Sequence, residues 1–252
     1  MLALVVFLVV AAVVALYVTV ADRRASESAA IRAEAAALDR ANELRTALLS
    51  AVSHDLRTPL ASIKASVSSL RAHDVTWSPE ATADFLAAIE GDTDHLNQVV
   101  GNLLDMSRLQ TGALELERHP VALEEVVASA LDSLGAQART VRVDVPEELP
   151  LALVDPGLLE RALANVVANA LHWSPPAEPV EVSARVVAPD LEVRVADHGP
   201  GVPPDGRERI FQPFQRLDDK GGGGVGLGLA IARGFIEAME GELLVEDTPG
   251  GG

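Results

Sequence analysis

Cysteine is absent from this chain of 252 residues, which excludes a disulfide framework and any thiolate metal centre. Aromatic residues make up only 3% of it, and of its 20 basic residues only Lys64 and Lys220 are lysines, a bias toward alanine and arginine without functional content of its own. Positive charge is scarce: 20 Lys and Arg stand against 37 Asp and Glu, a formal net charge of -17. A surface of that sign repels phosphate backbones, so no direct nucleic-acid partner is expected. What remains is a chain with 48% hydrophobic residues, long enough for one membrane segment and one or two domains of roughly 100 to 150 residues.

Residues Met1 to Val20 carry no Asp, Glu, Lys or Arg. About 20 apolar residues at 1.5 Å rise each cross a hydrocarbon core of roughly 30 Å, so the segment reads as a transmembrane helix. The alternative, a cleaved signal peptide, lacks a basic residue ahead of the apolar run and a small-x-small site behind it. Asp22, Arg23 and Arg24 follow directly, and the two cations place the C-terminal side in the cytoplasm, as a single-pass protein of the plasma membrane. From Ala25 to Leu49 neither Gly nor Pro interrupts a helix-favouring composition, and Leu38, Ala41, Leu44 and Leu48 make one apolar stripe.

Helical patterning continues from Leu60 to Leu70, breaks over Ala72 to Pro79 and returns from Glu80 to about Leu109, with Ser78-Pro79 as N-cap and first helical residue. Phe85, Ile89, Leu96, Val99, Leu103 and Met106 follow the helical period. Two helices alone enclose no core, so the hairpin is expected to dimerise into a four-helix bundle. Beyond Gly112 the pattern changes to an α+β sandwich. Helices are expected over Val121 to Leu134, Asp155 to Leu171 and Gly226 to Met239, and strands over Val141 to Val145, Val180 to Val187, Leu191 to Ala196 and Glu242 to Glu246.

Three constellations point to chemistry. In Ser53-His54-Asp55-Leu56-Arg57-Thr58-Pro59 a proline interrupts a helix at a cost of about 3 kcal/mol and is expected to kink it beside an imidazole. Asp55 is placed to accept from one ring N–H of His54, leaving the other nitrogen as nucleophile, and Thr58 lies one turn on, on the same face. Asn165 and Asn169, four residues apart in an apolar helix, need partners for both amides, which a Mg²⁺ ion and its phosphates would supply. Asp197 ends a strand ahead of Gly199 and Gly201, and the glycine run Gly221 to Gly224 with Gly226 and Gly228 opens a helix whose N-terminus attracts anions.

In order along the chain, SHDLRTPL around His54, NVVANA with Asn165 and Asn169, DHGPG with Asp197, Gly199 and Gly201, IFQPFQR with Phe211 and Phe214, and GVGLGLAI with Gly224, Gly226 and Gly228 resemble the H, N, G1, F and G2 boxes of sensor histidine kinases. The stretches HDLRTPLASIKASVSSL, VGNLLDMSRLQTGAL and ARGFIEAMEGELLVEDTPGGG are similar to the KdpD-type kinases, which respond to potassium or turgor.

Behind the transmembrane helix read over 1–20 and the helical linker over 21–40, the resemblance implies a dimerisation and phosphotransfer domain over 41–112 and an ATP-binding domain of the Bergerat (GHKL) α/β-sandwich type over 113–252. It implies autophosphorylation of His54 from ATP with Mg²⁺ and transfer to an aspartate of a response regulator, KdpE-like for this subtype. On the same basis Asp55 is the general base and Thr58 positions water for dephosphorylation. Asn169 is the Mg²⁺ ligand, with Asn165 supporting it. Asp197 binds the adenine amino group, Trp173 lies beside the base, and Gly199, Gly201, Phe211, Phe214, Gly224, Gly226 and Gly228 border the nucleotide and its lid. His172 stands where the family has Lys or Arg, which weakens attraction for phosphate.

Two departures bear on this expectation. There is one span where KdpD-type proteins have several, and at Gly252 the family continues into one more strand. A C-terminal portion or a shortened kinase lacking its last sheet strand is expected. Two competing functions stand beside the kinase. One is a catalytically weak or phosphatase-biased dimerisation module that binds a response regulator. The other is a GHKL-type ATPase, which needs a carboxylate where Asn165 stands and leaves His54 without a role.

Overall fold

The computed structural model describes residues 52–72, 75–215 and 226–248. The expected membrane span over 1–20, the expected linker over 21–40 and the apolar stripe of Leu38, Ala41, Leu44 and Leu48 fall outside those residues, as does Gly224. Among the described residues no helix is long and apolar enough to cross a membrane.

Helix α1 covers 52–70 and runs through Pro59 without a break in its helical assignment, so the expected kink does not interrupt it. Pro59 has no N–H to give to the carbonyl of Asp55, and the first turn after His54 is thereby loosened without being opened. The chain then turns. Trp77 Nε1 donates to the Ser69 carbonyl at 2.8 Å, satisfying one of the last acceptors of α1, and the indole meets Phe85 edge-on at 4.9 Å. Helix α2, Pro79–Thr111, starts as its sequence dictates: Ser78 Oγ accepts from Ala81 N at 3.1 Å and Pro79 supplies a preset φ. It stops at Gly112, whose φ of 65° lets its N–H close on the carbonyls of Arg108 and Leu109. The expected stripe of Phe85, Ile89, Leu96, Val99, Leu103 and Met106 is buried or half-buried. A second apolar row, Leu86, Val100 and Leu104 on α2 with Leu60 on α1, remains exposed in the single chain.

The rest is the α+β part. Strand β1 (His119–Val121) leads into helix α3 (Leu123–Ser133), then come β2 (Arg142–Asp144), β3 (Ala152–Val154), helix α4 (Pro156–Trp173), β4 (Glu181–Val187), β5 (Asp190–Ala196) and helix α5 (Gly228–Ala238). β1 and β3 pair antiparallel in a two-stranded sheet, while β2 lies parallel to β4 and β4 antiparallel to β5 in a three-stranded one. Alternation along β4 turns Val182 and Ala184 inward, where they meet Val126, Val127 and Ala130 of α3 and Leu159, Leu163 and Val167 of α4. The outer face carries Arg142–Glu181 and Arg185–Glu192 ion pairs, which belong to a solvated face and contribute little to stability. Asp155 caps α4 through Leu158 N at 3.1 Å, and its other oxygen accepts from Glu117 N at 2.9 Å, fastening the segment that leaves α2 to the start of α4.

One expected element does not form. Residues 241–248 contain no strand, although Glu242 to Glu246 alternates as a strand would. Alternation sets which face a side chain takes, but a strand also requires a neighbour's backbone to pair with. Here the segment is held beside the sheet through side chains, Arg194 to Glu246 at 3.2 Å and Arg207 to Asp247.

Candidate active site

The candidate acceptor segment, residues 53–59, lies on α1. His54 Nδ1 lies 3.2 Å from Asp55 Oδ1; the imidazole side chain is 81% exposed and the carboxylate 18%. In the tautomer with its proton on Nδ1 the ring donates to that carboxylate and presents Nε2 as the nucleophilic nitrogen, on a ring open to solvent. The Thr58 hydroxyl donates to the His54 carbonyl at 3.3 Å, which holds it one turn after the imidazole on the same face.

The nucleotide-side residues gather around the C-terminal half of α4. Asn165 and Asn169 are half-buried, one turn apart on its inner side. Gly228, at the start of α5, approaches Asn165 so closely that a Cβ there would sit 3.3 Å from Asn165 Oδ1. The N-terminus of α5, with its free N–H groups, is therefore set beside Asn165. At the end of α4, Trp173 meets the turn after β5: a Cβ on Gly199 would lie 3.1 Å from Trp173 Cβ and 2.9 Å from Asp197 Oδ1. Asp197 Oδ1 accepts from Gly199 N at 2.8 Å, which aims the carboxylate and leaves Oδ2 for another donor. Ser174 Oγ accepts from His198 N at 3.2 Å and closes the corner, while Gly201 has a φ of 72° that only glycine adopts without strain. His172 is exposed, its ring edge-on to Trp173 at 5.1 Å.

The two phenylalanines differ in role. Phe211 is buried beneath the Arg233 guanidinium, 5.0 Å from the ring centre. Arg233 is in turn held by Glu237 at 2.8 Å and Glu208 at 3.0 Å, and those hydrogen bonds, Glu237 first, keep it above the ordinary arginine value. Phe214 has a φ of 66° and its N–H donates to the Gly226 carbonyl at 2.9 Å, so the two ends of the segment 215–225 are tied together. Mg²⁺ and nucleotide fit what is present: glycines at 199 and 228 leave the room that a Cβ would fill, the Asn165 and Asn169 amides are oxygen donors of the kind Mg²⁺ takes, and the Asp197 carboxylate is an acceptor for a base amino group.

Residues 44–112 match the His Kinase A (phospho-acceptor) domain, and residues 154–252 match the histidine kinase-, DNA gyrase B- and HSP90-like ATPase. The chain belongs to the sensor histidine kinase family. It is 50% identical over 228 residues to the sensor protein KdpD of Mycobacterium tuberculosis, an alignment covering 87% of the chain and 26% of that relative. It is also 34% identical over 226 residues to the histidine-protein kinase/phosphatase MprB of Mycolicibacterium paratuberculosis, covering 86% of the chain and 42% of the relative. Among solved structures, full-length ShkA in complex with AMPPNP is similar at 31% identity and a TM-score of 0.53, over 79% of this chain and 43% of that one. The chain spans about a quarter of the length of the KdpD relatives it matches.

Sequence patterning does not reveal the ion pair between Asp105 of α2 and Arg161 of α4. Its one signal is a carboxylate set between Leu104 and Met106 in an apolar stretch. The packing at Gly199 leads to a prediction. Gly199→Ala would force its methyl against the Trp173 carbonyl, 3.1 Å away, and against the Asp197 carboxylate. Overpacking of this kind costs about 1–3 kcal/mol, so a lower melting temperature and roughly tenfold weaker nucleotide binding are expected by calorimetry.

Proposed function

We propose that the chain is the kinase portion of a membrane-anchored, KdpD-type sensor kinase that phosphorylates itself on His54 from ATP and passes the group to an aspartate of a KdpE-like response regulator. The observation that carries the reading is the Nδ1–Oδ1 contact of His54 and Asp55, within a segment that matches the phospho-acceptor domain. The Nε2 lone pair attacks the γ-phosphorus, an N–P bond forms as the P–O bond to ADP breaks, and the Nδ1 proton is taken or stabilised by Asp55. Asp197 and Trp173 hold the adenine, and Asn165, Asn169 and the N-terminus of α5 hold the phosphates. Mg²⁺ on Asn169, when bound, offsets the phosphate charge. Residues 41–112 form the dimerisation and phosphotransfer domain and 113–252 the ATP-binding domain, behind a span over 1–20 and a linker over 21–40.

A homodimer is favoured by the exposed row of Leu60, Leu86, Val100 and Leu104, at 54%, 55%, 48% and 57% exposure, which a second hairpin would cover. A role in potassium or osmotic signalling rests on the likeness to KdpD. A phosphatase activity beside the kinase is favoured by Thr58, held one turn from His54 and able to orient a water at the phosphorylated regulator.

Two measurements follow. Incubation of the chain with ATP and Mg²⁺ should incorporate label from the γ but not the α position, in an acid-labile, base-stable form; label that survives acid would point to a hydroxyl acceptor. Asp55→Asn, which still orients the ring but takes no proton, should slow the rate by about 100-fold with KM for ATP unchanged. An unchanged rate would return Asp55 to the role of a solvated neighbour.

A further inference from the structure

His198 stands between Asp197 and Gly199 in the turn after β5, and its backbone N–H is fixed by Ser174 Oγ at 3.2 Å. Its imidazole has no such anchor. The side chain is 27% exposed, but Nδ1 is shut off from solvent and makes no hydrogen bond among the described residues. A buried polar atom without a partner is destabilising, so the ring calls for a group that can reach it. Glu178 Oε2 lies 3.9 Å from Nδ1, about 1 Å too far for a hydrogen bond, on a side chain that is 53% exposed.

The two side chains meet just past the end of a ladder. Glu181 and Ala196 are the last paired residues of β4 and β5, and Glu178 and His198 lie on the chain beyond them. The loop that carries Glu178 is held at both ends: Ser174 N donates to the Ala170 carbonyl at 2.9 Å, and the carbonyl of Val180, itself wholly buried, accepts from Arg142 N at 2.8 Å. Within it Glu178 N donates to the Pro175 carbonyl at 3.0 Å. With the backbone so fixed, a rotation of the Glu178 side chain is enough to close the gap. The other ionisable groups beside the turn are engaged elsewhere, Asp197 Oδ1 accepting from Gly199 N at 2.8 Å and the His172 ring lying edge-on to Trp173 at 5.1 Å.

We propose that His198 is a positioning residue for the nucleotide: as an imidazolium it pairs with Glu178 and clasps the Asp197 turn to the loop after α4, holding Asp197 and Trp173 in place for the base. The proposal rests on the kinase reading above. The charged ring carries a proton on Nδ1 and attracts the carboxylate, whereas the neutral ring draws it far less. Nucleotide affinity is therefore gained when His198 takes a proton and lost as rising pH removes it, in the range of roughly pH 5 to 8 where imidazoles change charge. Because Glu178 is half-exposed, screening holds the effect to about three- to fivefold in ATP affinity.

The test is a double-mutant cycle of Glu178→Gln and His198→Gln, with ATP affinity read by titration calorimetry at about pH 6 and about pH 8, and hydrogen exchange read on the nucleotide-free chain. Near pH 6 each single variant should bind ATP about three- to fivefold more weakly than wild type and the double variant no more weakly than either, while near pH 8 all four should bind alike. Protonation of ATP itself is common to the four chains and cancels between them. The rate at saturating ATP should not change, so the effect falls on KM and not on kcat. Exchange at the amides of Gly199 and Gly201 should rise in the same variants at the lower pH. Glu178→Gln, on a half-exposed side chain, carries the test alone if His198→Gln does not fold. Additive losses, equal losses at both pH values, or unchanged affinity and exchange each overturn the clasp. A wild-type chain that binds no ATP contradicts the kinase reading, while the exchange data still decide the contact.

Discussion

His54→Gln should abolish phosphorylation while leaving ATP affinity within error of wild type. The imidazole sits on α1, 81% exposed, with its polar contact to Asp55, whereas the residues proposed to hold the nucleotide sit on α4, on α5 and in the turn after β5. Glutamine keeps a hydrogen-bonding amide beside Asp55 but has no nucleophilic nitrogen, so the loss should be complete rather than partial. Filter assays with labelled ATP read the first quantity and titration calorimetry reads the second. Residual acid-labile label would mean a second acceptor. A fall in ATP affinity would mean that His54 helps to form the nucleotide pocket, contrary to its placement.

Asp197→Asn should weaken ATP binding by about 10- to 100-fold, the equivalent of about 1.5–3 kcal/mol for a hydrogen bond to a charged group. Because Asp197 Oδ1 already accepts from Gly199 N at 2.8 Å, and an asparagine oxygen can do the same, the turn itself should survive. What the substitution removes is the second carboxylate oxygen, the acceptor proposed for the base amino group. Inosine triphosphate, which carries an oxygen in place of the adenine amino group, should lose far less. If the variant binds the two nucleotides with equally reduced affinity, Asp197 acts on the turn and not on the base.

The candidate site residues stand out in the sequence because each breaks a local rule. Asn165 and Asn169 interrupt an apolar helix, Pro59 enters a helix that would be better without it, and Gly201 and Gly226 take φ values of 72° and 71°. Helix α4 was legible almost to the residue, since Asp155 and Pro156 mark its start, yet its end ran two residues beyond the expected Leu171, to Trp173. Strands β1 and β3, three residues each, are too short to show alternation, and their pairing links residues more than thirty apart. Glu242 to Glu246 shows the opposite failure, a good pattern with no ladder to join. The Asp105–Arg161 pair spans 56 residues of sequence, and nothing local to either side chain announces the other.

The most direct measurement of the central claim is tandem mass spectrometry of the chain after reaction with ATP and Mg²⁺, with digestion and separation kept at alkaline pH so that phosphoramidate survives. The account predicts a single phosphoryl group on the His54 imidazole, in the segment Ser53-His54-Asp55-Leu56-Arg57, that is missing when ATP is replaced by a non-hydrolysable analogue. A phosphoryl group on Ser53, on Thr58 or on any histidine other than His54 would contradict it.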